Sequence, residues 1–192
     1  MYYRFRYENI IKQEETVNSD QGAIKRNQDF RMAMLRLVFW SRMYLLSISE
    51  NMGDKNEVAA RLRKIPQEMA DVFTEYYPVA TVEPLKQAFT DFVDNIMQLM
   101  DVVKDGDVEK TSQAEARLKQ DMVQISLILN NMSESYKTDD VQRVLTEFIM
   151  MTKREIASRL TGDYEADINT ADELVGIALR IADYLSEGIK NK

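Results

Sequence analysis

Apolar side chains recur every three or four residues in six successive segments of the chain. They include Phe30 and Met34 in the first segment and Leu174 and Ile181 in the last. This spacing places side chains on one face of an α-helix, which has 3.6 residues per turn. Two-residue alternation, which is typical of strands, occurs only as a short hint in YYRFRY at residues 2–7. We therefore predict an all-α protein.

Glycine and proline divide the six segments. Gly–Asp pairs stand at residues 53–54, 106–107 and 162–163, where the glycine can adopt a left-handed conformation and the aspartate can cap the next helix. Such short links join helices that run antiparallel. Pro66 lies inside the second segment, where the missing backbone donor predicts a kink or two short helices.

These features together predict an antiparallel helical bundle of about five to six helices. Its core resembles a four-helix bundle, with a long central first helix and a second helix broken by Pro66. Residues 1–27 show little periodicity and are predicted to be an N-terminal arm, extended or flexible. Residues 28–192 have a length typical of one domain and are predicted to form a single helical-bundle domain.

The chain contains no Cys and no His. Zinc fingers, thiol nucleophiles, Ser–His–Asp triads and the Glu-x-x-His motif of carboxylate-bridged metal sites each require one of these residues. No glycine-rich phosphate-binding loop is present either. We therefore predict no cofactor and no metal site, and expect a protein that is not an enzyme.

The charge and hydropathy of the chain restrict its partners. With 32 acidic and 25 basic residues the net charge is −7, which disfavours nucleic acid because binding to phosphates depends on cationic side chains. The most apolar stretch, residues 34–48, is interrupted by Arg36 and Arg42, so no transmembrane segment is predicted. No export signal is recognised, and the expected location is cytoplasmic. Peripheral membrane docking through the aromatic and cationic residues 2–7 stays open.

Polar residues within the apolar stripes are the candidates for a binding site. Arg36 and Arg42 interrupt a helix that is apolar around most of its circumference, and a guanidinium near a core needs a carboxylate, an aromatic face or a ligand. Two interpretations stay open. Both arginines reach the surface or pair with Asp or Glu of a neighbouring helix, or Arg42 binds an anion beside Trp40 and Tyr44.

Three motifs carry a likeness to other sequences: Trp40–Ser41–Arg42, the segment from Arg61–Leu62 to Pro66, and the ending RLTGDYEADI…IADYLSEGI. They resemble motifs of an uncharacterised family of helical-bundle proteins from Gram-positive bacteria, which has no established activity. The match covers roughly residues 29–189. The resemblance implies a compact helical bundle with a polar interior site.

The resemblance also implies a difference from the family. Relatives are expected to carry His on three helices where this chain has Leu37, Phe92 and Phe148. Three potential metal ligands are then replaced by apolar side chains, which counts against a metal-dependent activity. The polar matches carried over with Arg42 are Asp121 and Glu147.

The sequence therefore supports two functional hypotheses. The first is a non-catalytic soluble bundle that acts through protein–protein association or self-association. The alternative is a small-ligand- or metal-binding, enzyme-like bundle with a polar interior site. The residues of that site would be Trp40, Arg42, Tyr44, Asp121 and Glu147.

Overall fold

The computed structural model of the protein describes the backbone of residues 2–189 and the side chains of residues 21–189. Every regular element in this part of the chain is an α-helix, which confirms the all-α prediction. The helices are α1 (Tyr2–Ser49), α2 (Lys55–Leu62), α3 (Ile65–Thr74), α4 (Val79–Lys104), α5 (Val108–Met132), α6 (Thr138–Thr161) and α7 (Tyr164–Gly188). The backbone of residues 2–27, most of the predicted N-terminal arm, belongs to α1, whereas the side chains of residues 1–20 lie outside the described residues.

The helices enclose one apolar core. Helix α1 packs against α7, α7 against α6, α6 against α5 and α5 against α4, while α2 and α3 cover α1, and α3 also packs on α4. Leu45 of α1, Leu99 of α4 and Leu118 of α5 are fully buried at the centre. Helix α1 contacts five other helices, yet one of its faces stays exposed to solvent.

Pro66 divides the second predicted helix into two. Helix α2 ends at Leu62 and α3 begins at Ile65, so that Pro66 is the second residue of α3. A proline is tolerated in the first turn because the N–H groups there have no partner within the helix. Of the two outcomes predicted at Pro66, the structure shows two short helices.

The second and third Gly–Asp links have the predicted geometry. Gly106 and Gly162 have φ values of 71° and 77°, in the left-handed region. Each following aspartate, Asp107 and Asp163, accepts a hydrogen bond from the backbone N–H three residues further on and so caps the next helix.

The first Gly–Asp link differs from the prediction. Helix α1 ends at Ser49, so the left-handed position after it falls on Asn51, with a φ of 53°, rather than on Gly53. Asparagine is one of the few residues that tolerate this conformation. Asp54 accepts a hydrogen bond from Ser47 Oγ at 2.7 Å and makes no side-chain cap on α2.

The link between α5 and α6 is fastened to the end of α7. The ring of Tyr136 is fully buried, and its hydroxyl donates a hydrogen bond to the Leu185 carbonyl at 2.6 Å. Ser133 Oγ donates to the Gly188 carbonyl at 2.8 Å. A Cβ atom on Gly188 would lie 1.9 Å from Tyr136 Cε1, so only glycine fits beside this ring.

Gly188→Ala is expected to destabilise the protein by about 1–3 kcal/mol, the typical cost of overpacking, because the ring of Tyr136 must shift away. The measurement is the free energy of unfolding in urea. Gly176→Ala is the matched control, since the nearest atom to its added Cβ lies 3.9 Å away and alanine favours a helix interior. Equal stability of the two variants would contradict the packing described for Tyr136.

Candidate functional site

The guanidinium of Arg42 lies between two carboxylates that are almost completely buried. Nη1 of Arg42 donates to Glu155 Oε1 at 2.5 Å and to Asp167 Oδ1 at 2.9 Å, and Nη2 donates to Asp167 Oδ2 at 3.0 Å. The side chains of Glu155 and Asp167 are 3% and 1% exposed, against 24% for Arg42. A single cation therefore connects α1 with α6 and α7.

A second guanidinium completes the charge balance. Arg159 Nη1 lies 3.7 Å from Asp167 Oδ2, and Arg159 Nη2 donates to Glu50 Oε1 at 2.6 Å. The guanidinium also lies over the ring of Tyr164, 5.0 Å from its centroid. We call Arg42, Glu155, Arg159 and Asp167 the Arg42 cluster. Two cations thus lie beside its two buried carboxylates, and Arg159 is shared with the half-exposed Glu50; buried charge at a helix junction requires such partners.

The helical spacing explains why these four residues meet. The core positions of α7 continue N-terminally from Leu174 through Thr170 to Asp167, and those of α6 continue from Phe148 through Thr152 to Glu155. Asp167 and Glu155 thus occupy positions that apolar residues fill elsewhere in the same stripes. This pattern was the available signal for Asp167 and Glu155, neither of which was predicted as a site residue; Arg159 was not predicted either.

Arg36 and Arg42 both pair with carboxylates of other helices, in agreement with the first of the two interpretations. Arg36 Nη1 donates to Glu68 Oε2 of α3 at 2.9 Å, near the surface. Both terminal nitrogens of Arg42 already donate to carboxylates. An incoming anion would therefore have to compete with Glu155 and Asp167 for the guanidinium.

Trp40 and Tyr44 face away from Arg42, because residues two apart on a helix are rotated by about 200°. The Trp40 ring lies 5.4 Å from the guanidinium of Arg61. The Tyr44 hydroxyl donates to Asp101 Oδ2 at 2.9 Å, and burial raises the pKa of Tyr44 above its usual range. These two aromatic residues therefore belong to contacts with α2 and α4 rather than to the Arg42 cluster.

Asp121 and Glu147 are also separate from the Arg42 cluster. Asp121 Oδ2 accepts a hydrogen bond from Asn95 at 2.7 Å between α5 and α4, and burial raises the pKa of Asp121. Glu147 is half-buried and accepts from Arg180 of α7 at 2.5 Å. The structure does not bring the predicted ligand-binding residues together around one polar interior site, because they have partners on different neighbouring helices.

Leu37, Phe92 and Phe148, by contrast, do converge. They come from α1, α4 and α6 and line one cavity of about 30 Å³ together with apolar side chains such as Met34 and Ile125. This volume is enough for a water molecule, but apolar cavities of this kind stay dry. Within residues 21–189, no group of three or more acidic side chains is arranged to hold a metal ion.

A surface groove of about 430 Å³ lies beside the Arg42 cluster, between α1 and α7. We call it the α1/α7 groove; it is lined by Leu35, Val38, Phe39 and Arg42 of α1 and by Ile168, Ala171, Asp172 and Val175 of α7. Phe39 and Ile168 are 55% and 56% exposed. Exposed Met32 and Ile24 continue the apolar surface along α1, within an arc of about 80° that includes Phe39.

Ion pairs fix the relative direction of the two walls of the groove. Arg31 of α1 forms a two-pronged hydrogen-bonded pair with Asp183 of α7 at 2.7 and 2.8 Å. Arg42, further along α1, pairs with Asp167 near the beginning of α7. Residue numbers that increase along α1 therefore lie opposite residue numbers that decrease along α7. The two helices run in opposite directions along the groove.

Comparisons of the chain with protein-family models, curated proteins and solved structures find no match. The likeness to helical-bundle proteins of Gram-positive bacteria therefore stays a prediction. In the described part of the chain, no helix combines the length and apolarity needed to cross a bilayer. Membrane docking through residues 2–7 depends on side chains outside the described residues.

Arg42→Met is expected to cost about 3–5 kcal/mol of folding stability, because it leaves the buried Glu155 without a cation and Asp167 with only the more distant Arg159. Arg36→Met is the matched control, since its pair with Glu68 lies near the surface and such pairs contribute about 0–1 kcal/mol. Urea unfolding measures both. Adding Asp167→Asn to Arg42→Met should recover part of the loss, and similar losses for Arg42→Met and Arg36→Met would contradict the proposed burial of charge.

Glu155→Gln is expected to gain stability relative to the wild type as the pH rises. Burial raises the pKa of Glu155, although the hydrogen bond from Arg42 opposes this shift. The folded state therefore holds the proton more tightly than the unfolded chain, and the stabilising contribution of Glu155 is lost as the pH rises through its folded pKa. Urea unfolding between about pH 4 and about pH 8 measures the difference.

Asp183→Asn provides a control of opposite sign. Arg31 lowers the pKa of Asp183, so the stabilisation by Asp183 is present above the pKa of the unfolded chain and is lost as the pH falls. This variant should therefore lose stability relative to the wild type as the pH rises. The same sign of pH dependence for both variants would show that the environment assigned to Glu155 is wrong.

Proposed function

We propose that the protein is a non-catalytic helical bundle that acts by binding another protein chain, and that the α1/α7 groove is its binding surface. The observation that supports this proposal is the set of exposed apolar side chains on α1 and α7, of which Phe39 and Ile168 line the groove. In residues 21–189, Ile24, Met32 and Phe39 of α1 and Tyr164 and Ile168 of α7 are each at least half exposed. Exposed apolar side chains gathered at a groove are typical of protein interaction sites.

The composition of the groove also fits an interface. Phe39 is a large exposed anchor whose position is fixed by an edge-on contact with Trp40, with ring centroids 5.1 Å apart. Arg42 places the edge of a guanidinium at the same surface. Aromatic residues, methionine and arginine are enriched at the centres of interfaces and contribute much of their binding energy.

The Arg42 cluster supports binding by holding the groove in shape. Its hydrogen bonds fix α1 against α6 and α7, so a partner would not have to order the walls when it binds. A small-ligand site receives less support, since the residues proposed for it have partners on different helices. On the sequence and its resemblance alone, we further propose that the protein acts in the bacterial cytoplasm.

The proposal is tested by retention of proteins from extracts of the source cells on immobilised full-length chain, with untagged chain added as one of the candidate partners. We expect the wild type to retain a discrete protein that Phe39→Glu and Ile168→Glu no longer retain. Met150→Glu is the matched control because Met150 of α6 is 63% exposed and does not line the groove. All variants are first compared by thermal unfolding.

The outcome that contradicts the proposal is also specific. If well-folded Phe39→Glu and Ile168→Glu variants retain the same proteins as the wild type, the groove is not the binding surface. If no protein is retained by both the wild type and the Met150→Glu control, the proposed association itself is wrong.

A further inference from the structure

We propose that the apolar cavity inside the bundle, which Leu37, Phe92 and Phe148 help to line, is a binding site for a small apolar molecule such as molecular oxygen or ethylene. This site is separate from the α1/α7 groove, and the proposal does not depend on the proposed function. It is carried by the chemistry of the cavity walls, by the volume of the cavity and by the stiffness of the side chains that keep it open.

The walls of the cavity offer no hydrogen-bonding group. Of the 15 residues that line it, 14 are Leu, Ile, Val, Met or Phe. The remaining one is Tyr184, whose hydroxyl accepts a hydrogen bond from the backbone N–H of Lys137 at 3.0 Å. A molecule with polar groups would lose its hydrogen bonds to water on entering and gain none in return. The ligand must therefore be uncharged and free of hydrogen-bonding groups.

The volume of the cavity limits the size of the ligand. A cavity holds one water once its volume reaches about 10–15 Å³, and this one measures about 30 Å³. It therefore has room for roughly two or three non-hydrogen atoms. Met34 of α1 and Met69 of α3 line the cavity, and flexible methionine side chains adapt their shape to what they contact. A nucleotide or a fatty acid is far too large for this space.

Stiff side chains explain why the cavity is not filled by the protein itself. The phenyl rings of Phe89, Phe92 and Phe148 cannot bend, and the β-branched Val93 and Val141 have one strongly preferred rotamer in a helix. Atoms that face an empty space lose the dispersion contacts that a packed neighbour would give. An apolar molecule that fills the cavity restores these contacts, and this gain favours its binding.

The cavity lies nearest to solvent between α6 and α7. Val144 of α6 and Tyr184 of α7 are half-buried, whereas the other residues that line the cavity are buried. The shortest path for a small molecule from solvent into the cavity therefore passes between these two side chains.

The first experiment uses xenon as the probe, because dry apolar cavities bind this uncharged atom. The full-length chain, labelled with ¹³C in the methionine methyl groups, is followed by NMR as the xenon pressure is raised. We expect saturable shifts of the Met34 and Met69 methyl signals, since both residues line the cavity. The methyl signal of Met150, which is 63% exposed on α6, is the internal control and should not show them.

The second experiment fills the cavity. Val93→Ile on α4 and Val141→Ile on α6 each add one methylene to its wall. Each should weaken xenon binding by at least about tenfold, because the added group takes up most of the free volume. Val102→Ile is the matched control, since Val102 of α4 is buried but does not line the cavity, and it should bind xenon as the wild type does. Thermal unfolding confirms that each variant is folded.

The third experiment tests the polarity of the ligand with two molecules of equal length. Ethane and methanol have the same number of non-hydrogen atoms, but methanol carries a hydroxyl group. At equal free concentration, ethane should shift the Met34 and Met69 methyl signals. Methanol should not, because its hydroxyl would be buried without a partner.

Three results would overturn the proposal. The first is an absence of saturable xenon shifts at Met34 and Met69 of the wild type, a result that needs no variant. The second is unchanged xenon binding in a folded Val93→Ile or Val141→Ile chain. The third is methanol binding as tight as that of ethane, which would show that the cavity is not selective for apolar molecules.

Discussion

The buried carboxylates of Glu155 and Asp167 share the guanidinium of Arg42. The arrangement of α1, α6 and α7 depends on this contact. Removing two carboxylates from water costs several kcal/mol each, which only close and well-directed cations can offset. Arg42 opposes this cost with hydrogen bonds of 2.5–3.0 Å to both, although burial still raises the pKa of Glu155. A sliding or rotation of α1 would leave buried charge uncompensated, so the cluster defines the register of the three helices in a way that apolar packing alone does not.

Local physical rules made most of the fold predictable. Periodicity predicted the helices apart from the part of α1 before residue 28, which was expected to be an arm, and the lack of a donor in Pro66 predicted the break between α2 and α3. The prediction for the first Gly–Asp link was wrong in detail. The position at which α1 ends depends on side-chain contacts, such as that of Ser47 with Asp54, which the spacing of residues in the sequence does not reveal. Where a rule concerns neighbouring residues only, the sequence was sufficient.

The site was less predictable because it depends on which helices become neighbours. Arg42 was recognised because a guanidinium in an apolar stripe needs a partner, but its partner Asp167 lies 125 positions away. Trp40 and Tyr44, close in sequence, face other helices. The resemblance was informative in another way: Leu37, Phe92 and Phe148, singled out by it, do line one cavity, which shows that those positions share a location even though their chemistry here is apolar.

The same contact that organises the interior bears on the exposed surface of α1. A helix that is apolar around most of its circumference is usually buried on all sides, yet Phe39 and Met32 remain at least half exposed. The inner face of α1, which includes Leu37 and Leu45, is buried in the core and fixes the orientation of the helix, and the hydrogen bonds of Arg42 add to it. An exposed apolar strip that is held fixed beside an acidic helix has the properties of a binding surface. In this protein, the buried charge and the exposed apolar face are therefore two parts of one arrangement.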